Sequence, residues 1–278
     1  MTVHKPNEIQ ADLNETFQAA MCYVILSRVM CILQLFLLPF DQSKIYCNEN
    51  AKKEAEKLKE KALNRCKSRW DQDQANVFKI TTLNIRSLQK HLEDFQNDAV
   101  LQKSDIICIN ETWLVQTLEE SFQNYYKFYV NAKSKGMAFF SKIKPDWVEK
   151  YEYQMASIII ASYQSFDVIS VYKFSEHDKI DEFTRKVVDK INLSKTVIVC
   201  GDINVDLVKY PSNKFSTCLS NLGFSQLVNT STHILGGIID HVYFYSPKQA
   251  KCILYKIHPL YYSDHDAVTF LLDMSELV

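Results

Sequence analysis

Glycine and proline are scarce in this 278-residue chain, at five and six residues, which excludes a low-complexity architecture. Neither sign of charge is in excess. The 32 basic and 33 acidic side chains leave a net charge of −1, so there is no global basic signature for nucleic acid, although a local patch can still bind phosphate. The eight cysteines form no C-x-x-C pair, which removes support for zinc binding. Cys108 and Cys200 fall inside apolar runs, as buried thiols of a reducing compartment do, and an intracellular location follows. No G-x-x-x-x-G-K-[ST] loop is present, so ATP is not expected as a cofactor. No tripartite signal peptide is visible. The long apolar run from Ala19 to Phe40 has the length of a membrane span, but Arg28 sits near its middle. A central arginine costs about 2.5–3.5 kcal/mol on insertion scales, so no membrane partner is expected.

What the chain does contain divides it unevenly. Residues 1–75 differ in character from the remainder, with the strongly apolar stretch from Ala19 to Phe40 following an acidic lead. Residues 51–75 carry Lys, Glu, Ala and Leu in helix-favouring proportion, and Glu54 with Lys57 and Glu56 with Lys59 match the supportive i, i+3 spacing of a solvated linker helix. From about residue 76 short strands alternate with helices. The apolar patterning predicts strands at 77–84, 105–110, 136–141, 156–162, 166–172, 196–201, 239–245 and 266–272, and helices at 87–101, 178–192 and 212–222. The segments between 136 and 172 leave no room for helices, which suggests antiparallel pairing there. The expected fold is a mixed-sheet α/β (α+β) sandwich with helices outside, behind an N-terminal helical and strand appendage.

Polar clusters sit where these apolar runs stop or start, which places carboxylates, amides and imidazole on one sheet rim, where layered α/β proteins bind ligands. Glu111, at the end of Ile106 to Ile109, is the best single ligand for a hard cation such as Mg²⁺. Asn84 ends its strand and is placed to orient a ligand. Asp202 and Asn204 form an i, i+2 pair which, on an extended segment, faces one side. Asp202 then takes a proton from water and Asn204 holds the nucleophile or a transition-state oxygen. Asp240 is expected to orient His265 as a donor to phosphate, with Asp264 near the metal and Tyr172 as a further phosphate contact. Lys133, Lys135, Lys142 and Lys144 are candidates for flanking phosphates. This chemistry is metal-assisted phosphodiester hydrolysis.

Taken in order, Thr82 to Leu88, Ile109 to Leu114, Gly201 to Asn204, Thr232-His233 with Ile239 to Tyr243, and Ser263 to Asp266 resemble the motifs of the endonuclease/exonuclease/phosphatase, or DNase-I-like, superfamily. The resemblance covers about residues 77–275. It implies a four-layer αββα sandwich with two mixed sheets, dependence on Mg²⁺ or Mn²⁺, and DNA as partner. It also implies metal binding by Asn84, Glu111 and Asp264, with catalytic roles for Tyr172, Asp202, Asn204, Asp240 and His265. The wording Asn-Ile-Arg-Ser-Leu and Asn-Glu-Thr-Trp-Leu is most similar to transposon-encoded nucleases. Ser175 stands where related abasic-site enzymes often carry asparagine.

The segment Asn14 to Val29, continuing to Tyr46, is similar to the last motif segment of Helitron transposon helicases, with Arg28 matching a γ-phosphate contact. The expectation is therefore a truncated helicase C-terminal segment at 1–50, a charged linker at 51–75 and a nuclease domain at 76–278. The whole is expected to be a monomeric, nuclear, Mg²⁺-dependent DNA endonuclease of a Helitron-like element. A phosphomonoesterase or lipid-headgroup phosphatase of the same fold, and a non-catalytic nucleic-acid-binding relic, are the alternatives.

Overall fold

The computed structural model describes residues 77–114, 122–130, 135–174, 179–247 and 251–273, with backbone alone for 251–254 and for three short strands nearer the N-terminus. The chain divides into two compact units, Met1–Asp73 and Gln74–Val278. In the first, β1 (Thr2–Lys5) runs antiparallel to β2 (Glu8–Ala11), which lies parallel to β3 (Leu35–Leu37). Arg28, the linker segment and nearly all of the apolar run at 19–40 lie outside the described residues. Among those described, no helix is long and apolar enough to cross a membrane.

The second unit contains β4 (Val77–Asn84), α1 (Leu92–Asn97), β5 (Ile106–Asn110), β6 (Tyr126–Val130), β7 (Met137–Ser141), β8 (Trp147–Glu152), β9 (Ala156–Ser162) and β10 (Phe166–Lys173). It continues with α2 (Ile180–Val188), β11 (Thr196–Asp202), α3 (Lys214–Asn221), β12 (Ser225–Gln226), β13 (Asp240–Tyr245), β14 (Lys251–His258) and β15 (Ala267–Asp273). These strands build two mixed six-stranded sheets, ordered β14-β15-β4-β5-β7-β6 and β12-β13-β11-β10-β9-β8. Each sheet has one parallel pair near its centre, β4 with β5 and β10 with β11, and each pair is joined by a crossover carrying α1 or α2.

Three apolar layers hold the sandwich together. Ile106, Cys108 and Phe139 of one sheet meet Ile159, Val168, Ile198, Cys200 and Val242 of the other in the middle. Ile107, Ile109 and Phe140 turn outward onto Phe95 and Leu101, while Val197, Val199 and Ile169 turn outward onto Phe183, Val187, Phe215 and Leu219 of α2 and α3. Because successive residues of one strand feed opposite layers, the central strands are buried on both faces and read as continuous apolar runs. Cys108 and Cys200 are free, buried thiols facing each other across the middle layer, with sulfurs 3.7 Å apart.

Two expectations change. Strands β9 and β10 pair antiparallel as predicted, but β7 belongs to the opposite sheet, between β5 and β6, and β8 is the neighbour of β9. The helix expected from residue 87 begins at Leu92. Arg86 and Ser87 have φ of 46° and 100°, outside the right-handed helical region, and the N–H groups of Ile85, Ser87 and Leu88 tie this turn to the carbonyls of Asn110, Glu111 and Thr112, so the helix starts only after it.

Candidate active site

The two-residue period of the strands carries polar groups into the space between the sheets at one end of the sandwich. Ile106 and Cys108 of β5 are followed by Asn110 on the same face, and Ile198 and Cys200 of β11 by Asp202. By the same count Asn84 follows Ile80, Tyr172 follows Val168, and Asp240 precedes Val242. Register confirms the shared end. Asn84 lies opposite Asn110 in one sheet, and Asp202 lies beside both Tyr172 and Asp240 in the other.

Here the two sheets are joined by polar bonds. Asn84 Nδ2 donates to Asp202 Oδ2 at 2.9 Å, the Asp202 N–H donates to Asn110 Oδ1 at 3.0 Å, and Asn110 Nδ2 donates to the Val171 carbonyl at 3.2 Å. All three side chains are buried. Asn110 is the residue of this group to which sequence reasoning gave no role. The inward face it shares with Cys108 was the available signal.

Around this cross-link lie the ionisable groups. Asp240 Oδ2 accepts from His265 Nδ1 at 2.9 Å, so the ring proton on that side is fixed by the carboxylate. Burial works against a charged imidazole, but the Asp240 charge and hydrogen bond outweigh it and raise the His265 pKa to about 9. At neutral pH the ring is charged and Nε2 is a donor. Asp202 is also raised, to about 7, by burial first and the Asp240 charge second, against the pull of His265, Asn84 and Asn204. Ligating atoms of Asp202, Asp240 and His265 all lie within 4.8 Å of one another.

The remaining predicted residues are placed as follows. Tyr172 donates to Glu111 Oε1 at 2.6 Å, and burial with the adjoining Glu111 carboxylate raises its own pKa strongly. Its single proton goes to Glu111 in this structure, so the hydroxyl orients that carboxylate. Asn204 is not on an extended segment with Asp202. Strand β11 ends at Asp202, Asn204 has a left-handed φ of 53°, and its N–H returns to Asp202 Oδ1 at 2.8 Å as an Asx turn. Its Nδ2 donates to the Lys173 carbonyl at 2.7 Å and lies 3.4 Å from Asp202 Oδ2, so the two side chains still meet. Asp264 Oδ2 pairs with Arg86 at 2.5 Å, a partner sequence reasoning did not single out.

The basic candidates separate. Lys135, near the site end of β7, donates to the Phe174 carbonyl. Lys142 and Lys144 follow Ser141, which pairs with Ile106 at the opposite end of β5, so those two are far from the rim. Lys133 and Ser175 lie outside the described residues.

His241 faces the layer opposite from Asp240 and is structural. Its Nε2 donates to the Val205 carbonyl at 2.8 Å, Nδ1 lies 3.1 Å from the Tyr243 hydroxyl, and burial lowers its pKa to about 4. Between pH 6.5 and about 4 the unfolded chain binds a proton that the folded chain refuses, so this group's share of stability falls as pH falls through that window. At about 1.4 kcal/mol per pH unit the loss approaches roughly 3 kcal/mol. Unfolding curves of the wild type and His241→Gln should therefore show a stability difference that shrinks by about 2–3 kcal/mol between pH 7 and 4.5. A difference independent of pH means the ring protonates without resistance.

Two apposed mixed sheets with a carboxylate, amide and imidazole rim are the DNase-I-like α/β sandwich. Residues 81–265, well over half of the chain, match the Endonuclease/Exonuclease/phosphatase family, and the chain belongs to it. A stretch of 191 residues is 27% identical to Recombination repair protein 1 of Drosophila melanogaster, covering 59% of this chain and 28% of that protein. A stretch of 196 residues is 28% identical to an Exodeoxyribonuclease of Bacillus subtilis, covering 59% of this chain and 75% of that protein. The structure of an AP endonuclease from Archaeoglobus fulgidus superposes with a TM-score of 0.57 at 17% identity, covering 70% of this chain and 99% of that one.

Proposed function

We propose that this chain hydrolyses phosphodiester bonds of DNA as a cation-dependent endonuclease. The observation that carries the reading is the convergence of Asp202, Asp240 and His265, which join a carboxylate raised toward neutrality to a charged imidazole. DNA as substrate is supported by the names of the relatives, an exodeoxyribonuclease and a recombination repair protein.

The donor set fits a hard divalent cation. Asp240 Oδ1 and Asp264 Oδ1 are buried carboxylate oxygens without a hydrogen-bond partner, and oxygen-rich sites suit Mg²⁺ or Mn²⁺. Glu111, Asn84 and Asp264 would hold the ion, which when bound supplies Lewis-acid polarisation and neutralises phosphate charge. The chain's own residues supply the proton transfers. Asp202 takes the proton of the attacking water, and a pKa near 7 suits that role at neutral pH. Asn204 and Asn84 fix the Asp202 carboxylate through their amides. His265, held by Asp240, donates from Nε2 to a phosphate oxygen as charge develops. Tyr172 keeps Glu111 in place.

Transposon origin rests on sequence wording alone, in the Asn-Ile-Arg-Ser-Leu and Asn-Glu-Thr-Trp-Leu motifs and in the Helitron-helicase similarity of Asn14 to Tyr46. On that reading residues 1–50 are helicase-derived, 51–75 are a linker and 76–278 are the nuclease, acting as a monomer in the nucleus. Nicking of supercoiled plasmid by the full chain should appear with Mg²⁺ and fall by about 10²-fold or more with chelator. Phosphate release from inositol phosphates, with no nicking, would assign the site to monoesters instead.

A further inference from the structure

His233 lies at the rim beside His265 and has no part in the hydrolytic roles assigned above. We propose that it is a second imidazole donor, gripping a non-bridging oxygen of the same phosphate that His265 contacts. The inference rests on the phosphodiesterase reading.

The ring proton of His233 has a fixed position. His233 Nδ1 lies 3.2 Å from the Leu235 backbone N–H, which can only donate. Nδ1 therefore accepts, and the proton of the neutral ring must sit on Nε2. A ring in this state has no lone pair at Nε2 for a cation. Although His233, Asp264 and His265 bring ligating atoms within 4.8 Å of one another, the geometry makes His233 a donor and not a metal ligand.

Nε2 is 3.4 Å from Asp264 Oδ2, beyond the roughly 2.7–3.2 Å of a well-formed N–H···O bond. The same oxygen also accepts from Arg86 at 2.5 Å. The His233 side chain is 16% exposed, so it is shielded by protein yet open on the rim. Phosphate is acceptor-only at its non-bridging oxygens, which suits a neutral N–H held in a partly dry site.

His233 and His265 pair as an isolated antiparallel bridge, with ring centroids 4.8 Å apart and planes at 79°. The Ile234 N–H donates to the Asp264 carbonyl at 2.9 Å, and the Asp266 N–H to the Thr232 carbonyl at 2.8 Å. Gly236, with φ of 86°, closes the turn through its N–H to the His233 carbonyl. The two imidazoles are thereby held in a fixed spacing that one phosphate group can bridge.

The test uses the full chain with three substitutions. His233→Phe keeps the ring and loses the N–H, His233→Ala loses both, and His233→Gln returns an N–H at similar reach. Single-turnover nicking should fall about 10²-fold for Phe and Ala, the size seen when one oxyanion donor is removed, with Gln recovering at least tenfold of that. Calorimetric Mn²⁺ binding without DNA should stay at the wild-type value, and the unfolding midpoint in chelator should fall only by what the lost Leu235 N–H bond to Nδ1 contributes, far too little to account for the loss of rate. Wild-type rates in the Phe and Ala variants overturn the proposal, as does a tenfold loss of Mn²⁺ affinity, which would make His233 part of the cation site. A Gln variant as slow as Phe also overturns it. If the wild type itself does not nick DNA, the phosphodiesterase reading fails, a result separate from any difference among the variants.

Discussion

Asp202→Asn is expected to lower plasmid nicking by about 10³-fold while leaving a folded protein, since general-base contributions run to about 10²–10⁴. The substitution is nearly isosteric and removes the one group at the cross-link whose ionisation is tuned toward neutral pH. Its effect on stability has a sign that distinguishes it from simple damage. Burial and the Asp240 charge make the ionised carboxylate unfavourable in the folded chain, so its pKa rises from 3.8 to about 7. Wild-type stability is then greatest with this group protonated and declines as pH rises through about 7. The amide carries no such penalty, although one of its hydrogens is turned toward Asn84 or Asn204 and a bond is lost. Relative to wild type, the variant should gain stability between pH 5 and pH 8 even as activity is lost. Urea midpoints at the two pH values, measured in chelator, check this. A variant that loses activity and shows the same relative stability at both would mean that Asp202 ionises as freely as an exposed carboxylate, and its role as base would lose its basis.

In the second unit, the four strands that sequence reading missed share one property. Each of β6, β8, β12 and β14 is a sheet edge, and the eight predicted strands are the eight interior ones. Interior strands such as Ile106–Asn110 and Thr196–Asp202 are buried on both faces and appear as unbroken apolar runs. An edge strand meets solvent on one side, and Trp147–Glu152 accordingly mixes Glu149, Lys150 and Glu152 with its aromatics. Charge on an edge blocks pairing with other chains, so the feature that protects the fold also hides the strand.

The site was legible for a related reason. Asp202 and Asp240 stand in register with apolar residues two positions away, and Asn84 with Ile80 four positions away, so strand parity alone aims them into the middle layer. What parity does not encode is the loops. Arg86 and Asn204 adopt left-handed backbone conformations, and His233 reaches the rim through a turn bonded to the distant segment just ahead of β15. These contacts depend on tertiary pairing, as does the late start of α1, and no local pattern announces them. Tyr172 is visible in the sequence as the residue where an apolar run stops, but its partner, Glu111, could be found only from the fold.

Gly201 is where the site and the fold constrain each other most tightly, and Gly201→Ala should be the most destabilising small substitution in the sandwich. The residue lies in the interior strand β11, next to Asp202, with φ of 141°. An added Cβ would stand 1.9 Å from the Val171 carbonyl oxygen and 2.9 Å from its carbon. Both are backbone atoms of the adjacent parallel strand, and the same oxygen accepts the Asn110 amide that links the sheets. Neither a rotamer change nor a side-chain shift relieves the overlap. The strands must part, and the Asn110 and Asp202 bonds go with them. A loss above about 4 kcal/mol is expected, comparable to the stability of many domains, so the variant should be largely insoluble or unfolded at 25 °C. Gly223→Ala provides the comparison. Its φ of 88° is also unfavourable to alanine, but the nearest atoms are ring carbons of Tyr245 at 3.5 Å, so backbone strain is nearly the whole cost, about 1 kcal/mol. Urea unfolding of the two variants separates strain from collision. Equal midpoints would mean that β10 and β11 do not approach as closely as the register requires, and the placement of Asp202 against Asn110 would fall with it.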